Sequence, residues 1–328
     1  MPKGKEWDTF LASGENKTEL IRFLVAYLMD DEVRKKMAMP LVITEGEKTW
    51  LLSADHIQRL DDCNHHEADT RVVLYASQSA NPVVICATDT DIFILLTYAY
   101  WKSKPTEDWF MKIDRDRLVQ VKKIVSLYGE CVCSILPAFH SITGCDTTSY
   151  PYNVAKVKPF KKMIQGNTSQ YLSSMGMSEI SYQQPEDGLK FVKQVLYPGK
   201  DNESFVETRI RMYERQKMKS SLTLLPDLSS TKEHLKRADL QAYIWYQCLS
   251  LNIKYPAPEN RGWHETEDGL KPTWYFCTQL PPCLCLNSSR AKKKSGEDTD
   301  DELSDIEEEI QAISPPRKKQ KQVLEHST

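Results

Sequence analysis

With 328 residues, 40% of them hydrophobic and 27% charged, the chain has room for one large domain or two modest ones and can bury a substantial core. A formal charge of -3 excludes a uniformly basic surface, so any nucleic-acid contact has to come from local patches. No apolar stretch approaches the roughly 20 residues that span a bilayer, so no membrane partner is expected. The start MPKGKEWDTF lacks the apolar core of a signal peptide, and nine singly scattered cysteines fit a reducing compartment better than a disulfide framework.

In chain order, Asn16-Lys17-Thr18-Glu19 has the form of a helix capping box, and Leu20, Phe23, Leu24, Tyr27 and Leu28 follow at amphipathic spacing. A helix is predicted over about 17–38, broken by Pro40. Residues 41–44 and 49–52 read as strands of a hairpin turning at Glu45-Gly46-Glu47. Asn64-His65-His66-Glu67 repeats the capping pattern before a helix through about 80, with Ala68, Val72, Tyr75 and Ala76 on one face.

Residues 82–100 carry the most informative pattern. VVICA is a short β-branched run without polar alternation, which suits a strand buried on both faces of a parallel sheet, over 83–88. Asp89 and Asp91 follow in a Thr-spaced turn, and a helix is predicted near 92–101. Ligand sites in open α/β sheets lie just beyond the carboxyl ends of such strands. Acids also precede this stretch, Glu67 and Asp69 in HHEADTR, and follow it, Asp146 in TGCDTTS. Carboxylates drawn together repel one another unless a cation sits between them, so the pattern predicts a divalent-metal site.

From Asp116 the chain reads as a basic amphipathic helix with Leu118, Val121, Ile124, Val125 and Tyr128 apolar. Cys131 to Thr143 reads as a second apolar helix, deformed at Pro137 and ended by Gly144. A basic stretch follows (Lys156, Lys158, Lys161, Lys162), then helices near 186–197 and 203–218, the latter with Arg209, Arg211, Arg215, Lys217 and Lys219. Ser230 with Glu233 forms a third capping box, opening a helix whose Leu235, Ala238, Ala242 and Trp245 make one stripe. Prolines 256, 258, 272, 281 and 282 with Trp263 and Trp274 predict an extended, partly packed segment. Beyond about 287 a basic quartet (Arg290, Lys292, Lys293, Lys294), an acidic run from Glu297 to Glu309 and PPRKKQK at 315–321 hold too little apolar surface to order themselves, which predicts a disordered tail.

Taken together and in this order, Glu67-Ala68-Asp69, Asp89-Thr90-Asp91 and Gly144-Cys145-Asp146 resemble the motifs of the flap-endonuclease branch of the PIN-like nucleases. The wording NKTEL (16–20), HEADTR (66–71), DTD, HSITGCDTTS (140–149) and KRADLQAYIW (236–245) is similar to a group of uncharacterised animal proteins often associated with mobile elements. The resemblance implies an α/β fold with a mainly parallel sheet covered by helices, PIN-like and divergent or truncated at its N-terminus. A PIN-like core over 1–165 with its first strand missing, a helical and extended region over 166–286 and the tail from 287 to 328 would make up the chain. It implies that Glu67, Asp69, Asp89, Asp91 and Asp146 hold Mg²⁺ or Mn²⁺, with Asp89, Asp91 and Asp146 catalytic in phosphodiester hydrolysis of DNA or RNA. The glycine-containing hairpin that follows the G-C-D motif in flap endonucleases has no counterpart in YPYNVAKVKPFKKMIQ, which offers lysines instead. Two readings therefore stand beside each other: a metal-dependent nuclease-like domain, and a non-catalytic nuclear module that binds nucleic acid or protein.

Each residue also has a plainer use. Glu67 at the third position of a capping box satisfies a backbone amide, and Asp89, Asp91 and Asp146 suit helix caps. His65, His66 and His140 are candidate ligands or proton carriers, or solvated and core-edge histidines. Cys277, Cys283 and Cys285 with His264 hint at zinc but lack four well-spaced ligands. The lysines at 156, 158, 161 and 162 bind phosphates or line a solvated face. Arg317, Lys318, Lys319 and Lys321 resemble a nuclear import signal, and Ser304 lies in an acidic setting that suits a kinase.

Overall fold

The computed structural model describes residues 6–114, 117–152, 154–179, 185–215, 223–267 and 269–274. They form a mixed α/β structure, about half helical, with small sheets. The described residues divide into two compact units, those within Met1–Arg71 and Ser250–Ile253, and those within Val72–Leu249 and Lys254–Thr328.

The first unit holds helices α1 (Glu6–Leu11), α2 (Gly14–Met29) and α3 (Asp31–Arg34) and an antiparallel sheet of β1 (Leu41–Glu45), β2 (Lys48–Leu52) and β3 (Ile57–Arg59), in that order. The predicted hairpin is present, with Glu45 opposite Lys48 and Gly46 at φ +55° in the turn. The predicted first helix is two: α2 starts earlier than the capping box, with Ser13 accepting from the Asn16 N–H at 3.4 Å, and stops at Asp30, which caps α3. Arg71 donates to Gly46 O at 2.7 Å and to Cys63 O, tying the hairpin turn down.

Helix α4 (Ala68–Gln78) crosses the division between the units. In the second unit, β4 (Val83–Cys86) pairs in parallel with β5 (Trp109–Lys112) through the crossover helix α5 (Thr90–Ser103), and β5 pairs antiparallel with β6 (Leu118–Gln120). The expected mainly parallel sheet is thus reduced to one parallel pair. A parallel partner needs a crossover of a dozen residues, whereas only five separate β5 from β6 and force the chain to double back. Nor is β4 buried on both faces: Ile85 is 7% exposed but Val84 is 52% exposed. The apolar mass sits instead in α5, where Ile92–Tyr100 are all buried.

Residues 118–120, expected at the start of a helix, belong to β6, and α6 (Val121–Cys133) follows with a break at Gly129. Helix α7 (Leu136–Thr143) has Pro137 in its first turn, where the missing N–H costs nothing, and is buried along its whole length. Next come α8 (Val157–Gln165), a 3₁₀ turn (Ser169–Leu172), α9 (Pro185–Phe191), a π-helical turn (Val192–Leu196), α10 (Phe205–Arg215) and α11 (Leu228–Tyr246). The predicted stripe of α11 is real: Leu235, Ala238, Ala242 and Trp245 are at most 1% exposed, and the helix packs on α7. Its cap is Asp227, three residues before the expected Ser230. A hairpin of β7 (Trp263–Thr266) and β8 (Gly269–Pro272) completes the described elements. No single described helix is long and apolar enough to cross a membrane.

Candidate acidic site

The DTD stretch is placed by the end of β4. Asp89 caps α5, its Oδ1 accepting from the Asp91 N–H at 2.8 Å, so the plainer reading of this residue holds. Asp91, in the first turn of α5, points its Oδ1 at Nε2 of His140, 2.6 Å away on α7. His140 is 1% exposed in a helix buried along its whole length, where an unpaired imidazole would be costly. Lys156 Nζ lies 3.0 Å from Nδ1 and 3.1 Å from Nε2 of the same ring, and 5.6 Å from the Tyr150 ring centre. With Nε2–H donating to Asp91, Nδ1 is the acceptor for the lysine. Burial pushes the Asp91 carboxyl up, but the hydrogen bond from His140 and the nearby Lys156 ammonium outweigh it and hold the group below the usual aspartate range.

The GCD stretch is a tight turn at the end of α7. Thr148 N–H donates to Cys145 O at 3.1 Å, Cys145 N–H to Thr148 Oγ1 at 3.0 Å, and Thr148 Oγ1 to Ser141 O at 2.7 Å. Thr147 Oγ1 donates to Gln241 Oε1 of α11 at 2.7 Å. Asp146 stands exposed at the tip. Its charge reaches Asp89: burial first, then repulsion from Asp91 and Asp146, raise the Asp89 carboxyl despite the Asp91 amide and His140. Three of the five predicted acids therefore share one electric field.

Gly144 makes the turn feasible. Its φ of +114° suits only glycine, and a Cβ there would stand 2.5 Å from Tyr150 Cδ1 and 2.9 Å from Tyr150 Cα. Gly144→Ala is expected to cost about 3 kcal/mol, the sum of backbone strain and a clash with main chain that cannot rotate away. Urea unfolding measures this, and a loss under about 1 kcal/mol would show that the turn relaxes freely.

The remaining predicted residues divide. Lys158 and Lys161 are exposed on α8, whereas Lys162 Nζ donates to Gln194 O and, at 3.4 Å, to Tyr197 O, closing the end of the π-helical turn. Glu67 and Asp69 belong to the first unit and are half-buried. Because α4 begins at Ala68, Glu67 precedes the helix rather than occupying its third position, and its carbonyl accepts from Thr70 Oγ1 at 3.0 Å. Around it, Asn64 exchanges two hydrogen bonds with Ile253, and His65 Nε2 donates to Ser250 O at 2.7 Å. Burial lowers the His65 imidazole. His66 is exposed, and His264 lies on β7, 3.4 Å from Thr273 Oγ1. Cys277, Cys283, Cys285, Ser304, Arg317, Lys318, Lys319, Lys321 and the predicted tail lie outside the described residues.

Among the described residues no group of three or more His, Cys, Asp or Glu side chains is arranged to hold a metal ion. The donor chemistry nearest to one is the exposed pair Asp89 and Asp146, since Oδ1 of Asp91 is already engaged. The sequence reading missed the contribution of α11. Gln241 steadies the GCD turn, His234 Nε2 donates to Ile142 O at 2.9 Å, and Asp239 accepts from the Gly176 N–H at 2.7 Å. The available signal was the polar pair Asp239 and Gln241 inside a buried helix. Comparison with protein-family models, with curated proteins and with solved structures found no match for this chain.

Proposed function

We propose that the second unit is a PIN-like, divalent-cation-dependent phosphodiesterase domain acting on DNA or RNA. The observation that carries this reading is the field that Asp89, Asp91 and Asp146 share beyond the end of β4, where burial first and then the charges of Asp91 and Asp146 raise the Asp89 carboxyl. A dication relieves that repulsion. Mg²⁺ in nucleotide-handling sites is commonly held by one or two carboxylates plus the substrate's own phosphates, which matches an exposed pair rather than a protein cage. Asp89 and Asp146 are the residues that would hold Mg²⁺ or Mn²⁺; once bound, the ion supplies charge neutralisation and activation of water. Asp91 orients His140, whose Nδ1 faces the Lys156 ammonium. Lys156, with the exposed Lys158 and Lys161, provides positive charge for the backbone of the strand.

One observation favours a second reading, a non-catalytic nucleic-acid- or protein-binding module of the nucleus, derived from a mobile element. Asp91 is engaged internally by His140 and Lys156, as a polar network retained to fix how α5 packs on α7 would be. The two separate in one assay, with purified full chain, Mn²⁺ and end-labelled single-stranded and flap substrates. Cleavage is expected. Binding of both substrates without cleavage establishes the second reading, and neither binding nor cleavage removes both nucleic-acid readings.

A further inference from the structure

We infer that a pocket beside the acidic site takes one unstacked nucleobase, so that the substrate is single-stranded where it is engaged. The inference rests on the nucleic-acid reading of that site. The pocket, about 120 Å³ and open to solvent on one side, is lined by Tyr150, Leu196, Tyr197, His234, Arg237 and Trp274 among others. An engineered apolar cavity of about 150 Å³ accepts benzene, so the volume is that of a single ring.

The walls fit a base better than an aliphatic chain. Tyr150 and Trp274 are 63% and 58% exposed, an unusual cost for two large rings at one pocket unless something flat covers them. Arg237 is 4% exposed, lies 5.4 Å from the Trp274 ring centre and donates to Gly262 O at 3.1 Å, so its guanidinium is fixed as a polar wall. His234 uses Nε2–H on Ile142 O, and its Nδ1 is buried without a hydrogen-bond partner. Apolar faces with a few fixed polar groups on one side are what recognises a flat heterocycle.

The pocket is joined to the acidic site through Tyr150. That residue lies four positions after Asp146, packs against Gly144 and lies beside the Lys156 ammonium, which in turn touches His140. A base between Tyr150 and Trp274 would bring its own phosphate towards Lys156. Without a partner strand the base enters freely, whereas a paired base has first to be unstacked at a cost of a few kcal/mol.

The test is binding of a fluorescein-labelled single-stranded DNA octamer to the full chain, with Ca²⁺ replacing Mn²⁺ to suppress cutting and one abasic position walked along the oligomer. At one position the abasic change is expected to weaken binding roughly tenfold. Trp274→Ala and Tyr150→Ala, both at exposed positions, are expected to weaken the intact octamer by a similar factor and to leave the abasic octamer and the salt dependence unchanged. An abasic penalty that survives Trp274→Ala and Tyr150→Ala, or no penalty at any position in an octamer that binds, overturns the pocket and leaves the proposed function standing. Failure of every octamer to bind overturns the proposed function, and the pocket assignment falls with it.

Discussion

Asparagine at Asp89 and Asp146 together is expected to lower Mn²⁺-supported cleavage at least about a thousandfold while leaving the thermal midpoint nearly unchanged. The size follows from removing both charges that would hold the cation, whose contribution to a phosphoryl transition state is several kcal/mol at about 1.4 kcal/mol per tenfold. The stability argument depends on choosing asparagine. Asp89 accepts the Asp91 N–H through Oδ1, and asparagine caps as well as aspartate, whereas alanine would lose about 1 kcal/mol. Asp146 is exposed at the tip of a turn, where asparagine is equally at home. Asp91→Asn behaves differently, because Asp91 holds His140, 1% exposed, with Lys156 beyond it. Removing the anion leaves the Lys156 ammonium without its counter-charge beside a buried imidazole, so this variant loses stability as well as turnover. Cutting by the Asp89→Asn, Asp146→Asn protein at the unaltered rate would end the metal-site proposal.

The second large effect is a pair of opposite pH dependences on one helix. Burial, the largest cause, pushes His234 from 6.5 down to about 4, and pushes Asp239 from 3.8 up to about 6 despite the Gly176 amide and Arg261. For His234 the folded value is the lower one, so its contribution is present above pH 6.5 and lost as pH falls through about 4. For Asp239 the folded value is the higher one, so its contribution is present below pH 3.8 and lost as pH rises through about 6. At about 1.4 kcal/mol for each tenfold change in proton affinity, each amounts to about 3 kcal/mol, with opposite sign over the same window. The wild-type chain therefore hides both. Unfolding free energies at pH 7 and pH 4 are expected to show His234→Gln gaining about 3 kcal/mol relative to wild type on acidification, and Asp239→Asn losing a comparable amount. All other titrating groups cancel in these differences. Parallel pH curves for the three proteins would show that neither buried group is linked to folding in this way.

Much of the local structure was legible in the residues. The hairpin around Gly46, the core stripe of α11 and the helix after DTD could be read because a turn glycine and a hydrophobic period are local properties. Helix starts were found only approximately. Ser13 rather than Asn16, and Asp227 rather than Ser230, supply the caps, because each start holds several short polar residues and packing of the helix body chooses among them. The four-residue strand β4 was read as doubly buried because a short apolar run carries no information about how many faces are covered; Val84 lies on the open one.

By itself, then, the amino-acid order determined local elements such as the hairpin at Gly46, the helix after Asp89 and the apolar stripe of α11. Only the tertiary structure decided their company. Asp91 and His140 stand 49 positions apart, and nothing near either one specifies a 2.6 Å contact. Gln241 reaches the GCD turn across 94 positions. Such pairings follow from α7 packing on both α5 and α11, a global minimisation of exposed apolar surface to which every core residue contributes a little. Asp89 and Asp146 gain a shared field, and so a candidate chemistry, only after that packing is complete.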